Sequence, residues 1–136
     1  MKKIILVCLY FLLIFAPLTP EAKVPTEIIP QYEPPSVMEK AFLRSLDRTI
    51  LEVMRNHGDH QLFEHGRIEK IVGDNQYDIT LRVIGFEGAH NPPHKLIRMT
   101  IRIPGDGEEN YTVVNYSHRL ISSEEYMELA KFATDD

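Results

Sequence analysis

Histidines and arginines carry most of the reactive chemistry in this chain. The six histidines are His57, His60, His65, His90, His94 and His118. Neutral imidazole ligates zinc, copper and nickel, and a positioned imidazole works as an acid or base near neutral pH. The densest stretch is Phe86 to His94, FEGAHNPPH, where Glu87, His90, Asn91 and His94 surround Pro92 and Pro93. Paired prolines restrict the backbone on both sides of them, and Gly88 is free to take positive φ. Such a loop is a stiff tip that presents polar side chains at low entropic cost. Arg82, Arg98 and Arg102 form the second constellation. Guanidinium groups gathered on one patch suit a phosphate or carboxylate.

The elements that position these residues follow from periodicity. Ser36 and Glu39 have capping-box spacing, and Met38, Phe42, Leu46, Ile50, Val53 and Met54 recur at helical intervals up to Asn56, before Gly58. The period then falls to two. Strands are expected at Arg67–Val72, over Tyr77, Ile79, Leu81 and Val83, over Ile97, Met99, Ile101 and Ile103, and at Tyr111–Leu120. Ser122 with Glu125 opens a short last helix bearing Tyr126, Leu129 and Phe132. The sum is an α+β fold: an N-terminal helix on a four-stranded antiparallel meander, with a short C-terminal helix. Its shape is cystatin-like or NTF2-like. One sheet face is buried under the first helix and the other is at least partly wet.

Alternation fixes the faces. Odd positions of the two central strands share the core, so Arg82, Arg98 and Arg102 share the outer face with Thr80 and Thr100. A hairpin centred near Asn91 sets Arg82 opposite Thr100. The meander also collects His65, His90, His94 and His118 at one end of the sheet. The outermost strands are about 14 Å apart, whereas two nitrogens on one zinc are within about 4.2 Å. A metal site is therefore limited to His90 and His94 with one neighbour, His118 being the candidate.

Compartment is written at the N-terminus. Lys2 and Lys3 precede an uncharged apolar run, Ile4–Leu18, followed by Pro20 and Glu21-Ala22-Lys23. This reads as a secretory signal over residues 1–22. The competing reading is an uncleaved anchor, but the run is shorter than the roughly 20 residues that span a bilayer. Cys8, the sole cysteine, falls inside the signal. A net charge of −5 argues against nucleic-acid binding and against electrostatic docking on an anionic membrane. Residues 23–35 contain Pro25, Pro30, Pro34 and Pro35 and form a proline-rich linker, either a spacer or an arm laid on the domain. Residues 36–136 are the single domain.

An export signal, a capped helix and a strand running into F-E-G-A-H-N-P-P resemble a family of small exported proteins of Bacillus-like bacteria, known only as a domain of unknown function. Where that family often has Tyr-Gly after the two prolines, this chain has His94 and Lys95. The resemblance implies bacterial export and these domain boundaries, and no activity or cofactor.

The sequence therefore reads as an exported, non-catalytic binding or accessory domain of the cell envelope or medium. It would hold a peptide or an anionic wall component on the loop (Glu87, His90, Asn91, Pro92, Pro93, His94) or on the arginine face. The alternative is a zinc or copper protein using His90, His94 and His118. A hydrolase with His90 as base ranks third, because no nucleophile motif accompanies it.

Overall fold

The computed structural model describes residues 22–134. The expected export signal lies outside them, apart from Ala22. Seven elements follow in order: β1 (Thr26–Ile28), α1 (Val37–Asn56), β2 (Leu62–Gly73), β3 (Tyr77–Glu87), β4 (Asn91–Ile103), β5 (Thr112–Ile121) and α2 (Ser123–Ala130). The architecture is α+β, with one antiparallel sheet in the order β1-β2-β3-β4-β5. Five strands replace the expected four.

The additional strand comes from the proline-rich segment. Thr26, Glu27 and Ile28 pair with Val72, Ile71 and Lys70, and Gly73 N donates to Pro25 O at 3.0 Å. Proline disfavours helix in its neighbours, and an extended segment with free N–H groups can add to a sheet edge. The segment is thus an arm laid on the domain. Ile29 packs on the core, while Ile28 and Tyr32 remain exposed.

Helix α1 starts as its cap dictates, with the Ser36 hydroxyl accepting from Glu39 N at 3.0 Å. The return half of the box is not made. Glu39 turns inward instead, and its carboxylate takes Arg67 Nε and Ile68 N, both at 2.9 Å. The buried stripe is therefore Glu39, Leu43, Leu46, Ile50, Val53 and Met54, and Met38 points to solvent. An acidic residue stands where the apolar pattern placed a methionine, because Arg67 is buried and needs a counter-charge. At the other end His57 caps the helix and Gly58, at φ +85°, takes the left-handed turn out of it.

The central pairing keeps the expected faces. Ile79, Leu81 and Val83 lie opposite Ile101, Met99 and Ile97, all buried beneath α1. Strand β2 begins earlier than its alternation suggests. Register breaks between Glu64 and Arg67, and between Ile68 and Lys70, scramble the period over its first half.

The second sheet face is not simply wet. Ser122 caps α2, accepting from Glu125 N at 3.2 Å, and the helix crosses that face from β5 toward β2. Tyr126 stacks on His94 of β4, Leu129 O accepts from Arg82 of β3 at 3.2 Å, and Phe132 O accepts from Arg67 of β2. Ile84, Phe86 and Leu96 on this face are buried, whereas Arg98 is exposed.

Candidate functional site

Loop Gly88–His90 closes the β3–β4 hairpin, and its pairing ends with Glu87 opposite Asn91. Strand β4 starts at Asn91, Pro92 and Pro93 lie within it without ladder partners, and the Pro92–Pro93 bond is cis. Glu87, His90, Asn91, Pro92 and Pro93 are all exposed. His94 is not, being buried under the Tyr126 ring at 4.0 Å between centroids.

His90 is exposed yet fixed. Its Nδ1 lies 2.7 Å from Glu64 Oε2, and its ring stacks on Phe86 at 4.3 Å. The imidazole side chain is 60% exposed and the Glu64 side chain 6%. Glu64 Oε1 also accepts from the Tyr126 hydroxyl at 2.9 Å, and His65 Nε2 lies 3.1 Å from that same hydroxyl. The Tyr126 hydroxyl thus stands between the Glu64 carboxylate and the His65 ring. Burial and the Glu64 carboxylate both push the Tyr126 hydroxyl above its ordinary pKa. His65 and His90 have φ of 54° and 59°. Non-glycine residues rarely occupy that region, and those that do tend to mark sites where the surroundings over-determine the backbone.

Two open clefts flank this assembly, sharing Leu62 and Phe86. One, of about 390 Å³, is walled by Leu51, Leu62, Phe63, Phe86 and His90, with Arg44 and Asp47 at its rim. The other, of about 560 Å³, lies among His60, Gln61, Leu62, Glu87, Gly88 and Lys95. Leu62, on the ridge between them, is 56% exposed.

A second carboxylate cluster occupies the same end of the sheet on the α1 face. Asp59, 1% exposed, accepts from Lys95 Nζ, the Tyr116 hydroxyl and His118 Nδ1, each at 2.5 Å. Burial alone would raise the Asp59 pKa, but the bonds from Lys95, Tyr116 and His118 outweigh it and hold the carboxyl below its ordinary value. His57 stacks on Tyr116 at 4.1 Å. The histidines do gather at one end, as the meander requires, but on two faces. His118 pairs with Ile97 of the core face, whereas His94 lies on the side of Leu96 and Arg98. The sheet thus separates His118 from His94. Among the described residues, no group of three or more His, Cys, Asp or Glu side chains is placed to hold one metal ion.

The arginine face differs from its expected register. Arg82 lies opposite Arg98, with Thr80 opposite Thr100 and Asp78 opposite Arg102. The hairpin closes before Asn91, so the pairing slides by two residues and keeps its parity. Arg98 forms a two-pronged bond with Glu69, both contacts 2.8 Å. Arg102 does the same with Asp78, at 2.7 and 3.0 Å. Arg82 is only 4% exposed, and its Nη1 has no partner among the described residues.

The pivotal residues that sequence reasoning did not single out are Glu64, Tyr126 and Tyr116. A weak signal existed for Glu64, an acid set between Phe63 and His65 with no basic residue at strand spacing to face it. No protein-family profile matches the chain, and no curated protein or solved structure matches it either.

Proposed function

We propose that this chain is an exported, non-catalytic binding domain that engages a peptide at the hairpin end of the sheet, over Leu62, Phe63, Phe86 and His90. One observation carries the reading: His90 is the exposed member of a pre-set pair, held through Nδ1 by buried Glu64 beside an exposed leucine ridge. Apolar walls with a few fixed polar groups are what a peptide side chain needs, and a locked imidazole loses little entropy on contact. An anionic wall component is the weaker ligand, because Glu69 and Asp78 already neutralise Arg98 and Arg102. Export to the cell envelope or medium rests on Lys2, Lys3 and the apolar run after them. The cystatin-like or NTF2-like likeness is one of shape and brings no activity with it.

Peptide display on the immobilised protein tests this, with selected peptides measured by calorimetry. Leu62→Asp and His90→Ala should each weaken them tenfold or more, and Arg98→Ala should not. Peptides that bind all three variants equally would place the site elsewhere. One-to-one zinc binding that vanishes in His94→Ala would instead favour the metal alternative.

A further inference from the structure

The two edges of the sheet are treated differently. On the β1 side the edge is guarded. Strand β1 has three residues between Pro25 and Pro30, and beyond it the β2 backbone is covered. Ile68 N donates to Glu39, Ile68 O accepts from Gln31 at 2.8 Å, and Gly66 O accepts from the Thr134 hydroxyl at 3.2 Å. Prolines and covering side chains are how proteins blunt an edge.

Strand β5 lacks such prolines and covering side chains, its one irregularity being a bulge at Val114, where the register with β4 shifts between Thr100 and Ile101. It is ten residues long, TVVNYSHRLI, and pairs only with β4. It contains no proline and no lysine, and its one charged residue, Arg119, is already paired with Glu125. Among the described residues no backbone group outside β4 bonds its outer edge. Val114 and Leu120, which flank its centre, are 47% and 65% exposed.

We infer that β5 pairs with β5 of a second copy, antiparallel about a two-fold axis at Ser117, to give one continuous sheet. The strand is self-complementary in that register. His118 falls opposite Tyr116 of the second copy and Arg119 opposite Asn115, with Leu120 reaching the bulged Val114. The two exposed apolar residues cover each other, and no like charges meet. Ser117 lies opposite Arg98, on the face away from α1, so nothing bulky sits on the axis. A single strand pair covers an area at the low end for stable interfaces, so the dimer exchanges with monomer.

The test uses the full chain with Cys8→Ser, exported and run on a non-reducing gel. Ser117→Cys puts two thiols on the axis and should give mostly disulfide-linked dimer. In Asn115→Cys the thiols stand about four residues, roughly 13 Å, apart along the strand, too far to bridge. Sedimentation of the uncross-linked protein should show a concentration-dependent dimer, weakened tenfold or more by Leu120→Lys. Equal cross-linking at both positions, or a monomer at every concentration, overturns the pairing.

Discussion

Glu64 and His90 are 26 positions apart in the chain, and their Oε2 and Nδ1 atoms lie 2.7 Å apart. That contact ties the hairpin tip to β2, and the same carboxylate ties α2 to β2 through Tyr126. The two partners differ in what their loss does. Glu64 is buried, so Glu64→Ala takes one acceptor from both Tyr126 and His90 and should cost about 1–3 kcal/mol. His90 is mostly exposed, so His90→Ala should cost about 1 kcal/mol or less while removing peptide affinity. Urea unfolding of both variants separates anchor from contact. A reversed order would mean that the tip is held by something other than Glu64.

Among the described residues, Arg67 joins the most distant parts of the chain. Its guanidinium bonds Glu39, and it donates to the carbonyls of Pro30, Glu33 and Phe132. It thus fastens the N-terminal arm, α1 and the tail after α2 to one strand. Arg67→Ala leaves Glu39 as an uncompensated buried carboxylate, a loss of about 3–5 kcal/mol. Limited proteolysis should cut the variant near Glu33, where the intact protein resists. Resistance equal to the parent would show that β1 pairing alone retains the arm.

Acid stability should follow Asp59. Its pKa is lowered in the fold from an ordinary 3.8, so its stabilisation is fully present above that value and is lost as pH falls through the folded pKa. Asp78, lowered chiefly by its bond from Arg102, adds in the same direction. Urea midpoints from pH 7 to pH 2 should drop below about pH 4. In Asp59→Asn the midpoint starts lower at pH 7 and the two curves converge in acid. Parallel curves would remove Asp59 from the linkage.

The sequence made the central architecture legible because its rules are local. The Ser36 and Ser122 caps, the alternation from Ile79 to Val83 and from Ile97 to Ile101, and the resulting faces all depend on near neighbours. Long-range demands were illegible. Glu39 faces inward only because Arg67, 28 residues away, is buried. The β1 strand exists only because β2 offers an edge there. Nothing near Tyr126 in sequence shows that it stacks on His94 and bonds Glu64. Parity gave the outer arginines and set Asp78 on their face as counter-charge, but which acid meets which arginine depended on a register that the hairpin length decided.

Arg82 is a residue whose removal should help. Its guanidinium is buried, Nη1 lacks a partner among the described residues, and it lies directly opposite Arg98. Burial lowers its pKa, and the cations of Arg67 and Arg98 add to that against the opposing Glu69. A buried donor without an acceptor carries a desolvation penalty that an apolar side chain of similar length avoids. Arg82→Met loses the bond to Leu129 O but keeps the packing under α2. The variant should be as stable as the parent or gain about 1 kcal/mol. Arg98→Met, on the exposed side of the same pair, should lose less than about 1 kcal/mol. Thermal and urea unfolding of both variants decide it. A loss above about 2 kcal/mol in Arg82→Met would mean that Nη1 is satisfied in solution, by an ordered water or a bound anion.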